Sequence, residues 1–277
     1  MTPPPRRDVP AAIRRPAYAR GRPVPVPRRP ERKGPAAIRR MRTACAAASD
    51  VLAEVAAAVA PGVSTDALDA VAHEAIVRRG AYPSTLGFNG YPRSLCVAVN
   101  DVACHGIPGA ERLADGDIVT LDVTVYLEGV HGDVAQTFPV GRIAPEAAAL
   151  AAATRRALAA GIAAARPGVP VNAIGRAIEE EVGDGFLVVD EFVGHEIGRD
   201  FHGALVVHHR HVPGATTVLE PGMTLTVEPI LTSGRGGVRI DPDGWTARTA
   251  DGALAAQEEH TVLITPVGAE TLTRHVA

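Results

Sequence analysis

Aromatic side chains are scarce in this sequence: five Phe, four Tyr and one Trp make up 4% of 277 residues. A core so poor in rings has to be built from small aliphatic side chains. Cysteine is nearly absent as well. Cys45, Cys96 and Cys104 cannot all pair with one another and none falls in a CxxC spacing, which disfavours a disulfide scaffold and predicts a reducing, cytoplasmic setting. No apolar run reaches 18 residues, so no membrane span and no membrane partner is predicted. The N-terminus has no apolar h-region, which argues against a secretory signal.

What the chain does have is alanine, and a hydrophobic content of 46%, enough for one large core or two modest ones. Its net charge of −3 hides an asymmetry. Residues 1–40 hold 12 of the 28 Lys and Arg against only Asp8 and Glu31, which leaves 16 basic and 29 acidic residues, a formal −13, for the rest. Ten of the 23 prolines fall within residues 1–35. That composition cannot bury enough apolar surface to fold alone and favours extended backbone. It predicts a solvated linker, or an arm lying over the following domain. The alternative is an electrostatic contact with RNA or an acidic partner.

Ile118 to Gly141, IVTLDVTVYLEGVHGDVAQTFPVG, reads as a β-hairpin turning at Glu128-Gly129. A two-residue loop there sets Leu127 opposite Val130, Thr124 opposite Asp133 and Asp122 opposite Ala135. Asp122 and Asp133 then share a face as diagonal neighbours, roughly 7–8 Å apart. The two acids either face solvent at a sheet edge or share cations, because burying them unpaired in a Val/Leu-rich ribbon is costly.

Helices are predicted over about 36–60, stopped by Pro61-Gly62, and over about 65–79, capped by Ser64 or Thr65 and ended by Gly80. Residues 94–100 read as a strand. After Pro145 the pattern restarts: the Ala-rich run 148–169 parallels 43–63, and the Pro-Gly-Val of 61–63 returns at 167–169. Two halves of helix, turn, helix and strands predict an α+β domain with an internal pseudo-twofold, its site where the two sheets meet. Residues 204–216 and 232–247 read as loops, which makes His208, His209 and His211 solvated loop histidines.

Further acids and imidazoles stand in apolar, β-rich surroundings: His105, His195, Glu228 and Glu259. Each alone is weak, since a lone His is usually a satisfied core residue and a lone strand Glu usually lies on the surface. Together, four carboxylates and one imidazole from both halves suit a dinuclear metal site, four negative charges balancing two divalent ions. Such an oxygen-rich donor set suits Mn, Fe or Co and leaves Zn open.

The segments NGYPRSLCVAVNDVACHGIP, DGDIVTLDVTVYLEGVHGD, GHEIGRDFH, MTLTVEP and QEEHT, in that order, resemble the type I methionine aminopeptidases, whose fold is the pseudo-twofold α+β pita-bread. The likeness runs from about Arg40 to the C-terminus and implies a catalytic domain over 36–277 behind a proline/arginine-rich extension over 1–35. It implies that Asp133 and Glu259 bridge two divalent metal ions (Co, Mn, Fe or Zn), that Asp122 holds one, and that His195 and Glu228 hold the other. A water shared by such a pair is acidified, and the oxyanion formed on attack at the peptide carbonyl is stabilised. Glu228 would also take the proton from that water. His105 and His202 would contact the substrate and stabilise the tetrahedral intermediate. Thr85, Phe88, Tyr91, Cys96, Phe201 and Trp245 would line the methionine pocket. Ordinary core packing is the alternative for the aromatics, but four of them in or beside the motifs of so aromatic-poor a chain favour the pocket. The implied substrates are nascent peptide N-termini with a small second residue, the expected state is monomeric, and the basic extension suggests weak ribosome association.

Two departures stand out. Glu196 replaces a usual Gly directly after His195, and Glu258 replaces a usual aromatic, with strand alternation turning it away from the Glu259 face. The alternatives are a proline-specific aminopeptidase of the related class, which commonly has His where this chain has Glu191, and a non-catalytic pita-bread protein that binds ribosomes or nucleic acid.

Overall fold

The computed structural model describes residues 6–23 and 29–277. Two helices open each half. Helix α1 (Pro35–Ala56) starts with Pro35 in its first turn, where a missing N–H costs nothing. Helix α2 (Thr65–Arg78) is capped by Ser64, whose side chain accepts from the Ala67 N–H, and it is released by Gly80 at φ +68°. The predicted hairpin is present as Ile118–Leu127 and Val130–Pro139, with Leu127 opposite Val130, Thr124 opposite Asp133 and Asp122 opposite Ala135. Glu128 and Gly129 both take positive φ, the left-handed pair that lets a two-residue turn match the strand twist.

Alternation then assigns the hairpin two faces. Val119, Leu121, Val123 and Val125 pack under α1 against Met41, Ala44, Cys45 and Leu52. A methyl on Gly132 would lie 2.6 Å from the Ala44 carbonyl carbon, so helix and strand approach closely, and alanine suits that layer better than rings. Thr120, Asp122, Thr124 and Asp133 are left on the other face.

The second half repeats the plan with α3 (Pro145–Ala164) and α4 (Asn172–Val182) over Leu225, Val227, Val262 and Ile264. The two Pro-Gly-Val turns bond alike. Gly62 N–H donates to Leu113 O and Gly168 N–H to Leu219 O, while Leu113 and Leu219 return the bond to Val63 and Val169. The sheets meet where Glu259 N–H donates to Ala135 O and the Thr261 hydroxyl donates to Asp133 O. That junction is the pita-bread interior.

Several expectations change. Helix α3 is long and apolar enough, by length and composition, to cross a membrane, because alanine counts as apolar; here its buried face packs against α4 and the second sheet. Residues 232–247 are not all loop, since Val238–Ile240 pairs with Ala247–Thr249, and Val206–Val207 pairs with Gly194–His195. The lead-in is an arm on the domain. Arg7 ion-pairs with buried Asp69 at 2.6 Å, Val9 is buried among Tyr82, Leu86 and Tyr126, and Tyr18 packs edge-on to Phe88. Residues 1–5 and 24–28 of that lead-in lie outside the described residues.

Candidate functional site

The carboxylate groups of Asp122, Asp133 and Glu259 converge at the sheet junction, with one oxygen from each within 4.8 Å of the others. Asp133 Oδ1 accepts from the Thr124 hydroxyl at 2.6 Å. From the second half, His195 and Glu228 arrive as a pair, Nε2 to Oε1 3.7 Å. One hydroxyl sets both: Thr226 donates to Glu228 Oε1 at 2.6 Å and accepts the His195 N–H at 2.9 Å. His195 Nδ1 lies 3.1 Å from the Glu196 carbonyl, which can only accept. The proton therefore sits on Nδ1 and the Nε2 lone pair faces the acids, the arrangement a metal-binding imidazole needs.

Electrostatics make the same point. Burial raises the pKa of all four acids, Asp122, Asp133, Glu228 and Glu259, and mutual repulsion adds to this for Asp133, Glu228 and Glu259. Burial also pulls His195 down to about 4. Glu259 Oε1 is buried with no hydrogen-bond partner among the described residues. Four acids, an orphaned oxygen and a free imidazole nitrogen fit divalent cations, which would supply the missing positive charge.

A cavity of about 290 Å³ opens beside the acids. It is lined by all thirteen residues expected at the site: the five just described with His105, His202, Thr85, Phe88, Tyr91, Cys96, Phe201 and Trp245. Phe88 and Phe201 stand 4.9 Å apart, and Tyr91 meets Trp245 edge-on at 5.1 Å. The Cys96 thiol is pushed far up by burial, so it is a neutral wall and not a nucleophile. His105 is held at φ +56°, a strained conformation of the kind that collects at active sites.

Besides Thr124 and Thr226, other residues beside the site were not expected there. Phe192 packs edge-on to His105 at 5.1 Å. His131 is buried and stacks on Phe201 at 5.1 Å and 9°, and its period-two relation to Asp133 already placed it on the site face. His209 is not a solvated loop histidine: it is buried, and its Nε2 accepts the Glu228 N–H at 3.0 Å. Its spacing from buried Val207 was the available signal. His208 and His211 are half-buried.

The two departures are also placed. Glu258 turns away from Glu259, as alternation requires, but into the interior, 3.9 Å from Arg155 and 3.4 Å from His275, and burial pushes its carboxyl up to about 8. Glu196 is buried without left-handed backbone, so no Gly-only conformation is being forced. Its carboxylate points to the arm, 3.6 Å from Lys33, so it adds no uncompensated charge to the acidic cluster.

Buried acids with one imidazole at the junction of two pseudo-equivalent halves define a metal-dependent hydrolase of pita-bread architecture. Residues 39–266 match the model of metallopeptidase family M24. The chain is 47% identical to "Methionine aminopeptidase 2" of Mycobacterium tuberculosis H37Rv over 97% of its own length and 95% of the relative's. It is 43% identical to the methionine aminopeptidase of Escherichia coli K12, over 87% and 92%. The crystal structure of methionine aminopeptidase from Rickettsia prowazekii superposes with a TM-score of 0.87 at 35% identity, covering 89% of this chain and 100% of that one. The chain belongs to the type I methionine aminopeptidases of family M24. Its reaction is metal-dependent removal of the N-terminal methionine from nascent peptides, and neither the proline-specific nor the non-catalytic alternative is favoured.

Proposed function

We propose that Asp122, Asp133, His195, Glu228 and Glu259 hold two divalent ions, drawn from Co, Mn, Fe or Zn, and that the aromatic cavity beside them takes the methionine side chain. The observation carrying this is the convergence of all thirteen residues on one cavity. Bound there, the ions would activate water and polarise the scissile carbonyl.

The chain's own residues do the rest. Thr226 occupies Glu228 Oε1, and Gln257 approaches Oε2 only at 3.5 Å, so Oε2 is the oxygen free to take a proton and return it to the departing amine. His105, which burial lowers, and His202, an exposed residue whose ring is desolvated at the cavity and set beside His195, stay neutral at pH 7, and each keeps one N–H to donate to the developing oxyanion. Phe88, Phe201, Tyr91 and Trp245 exclude water around a thioether, which is apolar and polarisable.

A chain leaving this pocket passes a rim formed by His105, His202 and Phe192, so its second residue has to be small. Metal-reconstituted protein should release methionine from Met-Gly, Met-Ala and Met-Ser peptides about 100-fold or more faster than from Met-Lys or Met-Phe. Equal rates across the series would refute the rim. Faster release from Ala-Pro-Ala than from Met-Ala-Ser would instead favour the proline-specific alternative.

The site is complete within one chain, which supports a monomer, and three free buried cysteines support the cytoplasm. The basic lead-in tethers the enzyme weakly to ribosomal RNA phosphate, which otherwise repels a body carrying −13. Deleting residues 1–35 would not test this cleanly, because Tyr18 and Lys33 pack against the domain. Exposed Arg14, Arg20 and Arg22 do test it. Their replacement by Gln should leave Met-Ala-Ser turnover unchanged and reduce co-sedimentation with ribosomes, most at low salt. Unchanged co-sedimentation at every salt concentration would remove the tether.

A further inference from the structure

Glu196 is an unusual residue to find beside a site already crowded with acids, and its surroundings are built for it. Both oxygens are used. Oε1 accepts the Glu31 N–H at 2.6 Å and faces the Lys33 ammonium at 3.6 Å, and Oε2 accepts the Ala204 N–H at 3.0 Å. The Lys33 and Glu196 side chains are only 2% and 6% exposed. Lys33 reaches this place because the arm is pinned there: its N–H donates to Gly222 O at 2.8 Å.

Three glycines make the room. A methyl on Gly198 would strike Lys33 Cε and stand 3.0 Å from Nζ, and one on Gly203 would lie 2.6 to 2.7 Å from Glu196 Cγ and Cβ. Gly222, at φ +96°, brings its backbone against Lys33, where a methyl would be 3.0 Å from the Lys33 carbonyl oxygen. A buried lysine seated among glycines on a carboxylate is a socket, not a casual surface contact.

The socket closes the neck of a short loop. Glu196 N–H donates to Leu205 O at 2.8 Å, and Gly203 N–H returns a bond to Glu196 O at 2.7 Å. The Ala204 bond to the carboxylate is the third tie. At the tip of that loop are Phe201, stacked on His131, and His202, whose ring centre lies 4.1 Å from that of His195. We propose that Glu196, neutralised by Lys33 of the N-terminal arm, is a positioning residue that fixes the Phe201–His202 loop in its working geometry.

This rests on His202 acting on the substrate, but its physical content, a loop tied through a charge pair, is separately measurable. Lys33→Met keeps the stem and removes the charge. The Glu196 carboxylate then loses the Lys33 ammonium that faces it, turns toward the solvent side where Arg29 and Arg199 stand, and lets go of the Ala204 N–H. In the full-length protein, hydrogen exchange across 197–205 should quicken about tenfold or more. kcat for Met-Ala-Ser should fall about tenfold or more while KM and bound metal stay near wild type. Glu196→Gln in the Lys33→Met background removes the stranded charge and should recover much of both losses. Gly198→Ala, which displaces Lys33 without touching any charge, should reproduce the Lys33→Met result and serves if that variant folds poorly.

Wild-type exchange over 197–205 in both variants overturns the latch. Faster exchange with unchanged kcat overturns the positioning role, and failure of the double variant to recover overturns the charge-pair basis. If the role of His202 is itself wrong, the exchange results stand and only the kcat effect disappears.

Discussion

Replacing Asp122 with Ala should cut methionine release by about 1,000-fold or more and yet make the metal-free protein more stable. Both effects come from one feature, a partly buried carboxylate on the site face of a Val/Leu hairpin with no cation pairing it among the described residues. Burial raises its pKa to about 7. An acid whose folded pKa is raised contributes its full share of stability below the ordinary carboxylate range, near 4, and loses it as pH climbs through the raised value. The metal-stripped wild type should therefore lose thermal stability between about pH 5 and pH 8, and the Asp122→Ala variant should lose less. Added divalent metal should restore the wild type at pH 8 by binding only the folded state, and should restore the variant much less. Calorimetry of stripped and reconstituted protein across that range tests this. Near wild-type activity at limiting metal, or a steeper pH dependence in the variant, would show that Asp122 is not part of a cation site.

The hairpin that carries Asp122 was legible because two local signals agreed. A Glu-Gly pair between β-branched arms specifies a tight turn, and the period of two then decides which residues share a face. The repeated Pro-Gly-Val was legible for a similar reason, since each copy turns the chain with local bonds. His209 and Glu196 were not legible, because what surrounds them lies far away in the chain. His209 sits in a polar run that resembles a loop, and only the fold brings the Glu228 N–H to it. Glu196 looks like one more acid beside a metal ligand until Lys33 is seated on it from the other end of the chain. Lys33 itself stands in a basic, proline-rich stretch where solvent exposure is the reasonable expectation. Long-range contacts decided both cases, a backbone hydrogen bond for His209 and a charge pair for Glu196, and residue type and spacing carry little trace of either.

His202→Ala and His105→Ala should each lower kcat by about 100- to 1,000-fold while leaving metal content intact. Burial takes His105 to about 4, and desolvation of the ring at the cavity with the neighbouring His195 takes His202 well below its ordinary value, so both rings are neutral donors through the working range. Their own titration should therefore leave no limb in the pH–rate profile near 6.5. The two losses should differ in KM. His105 is packed between Phe192 and Trp245, so its removal also opens the cavity wall and should weaken binding of the methionine end. His202 stands on the loop tip beside His195, so its loss should fall on kcat alone. Combining the two should cost less than the product of the single effects if both serve one developing charge. A rise in KM with kcat unchanged would make His202 a wall of the pocket. Lost metal in His202→Ala, whose ring lies 4.1 Å from that of His195, would make it a ligand and move the boundary between the metal centre and the catalytic donors.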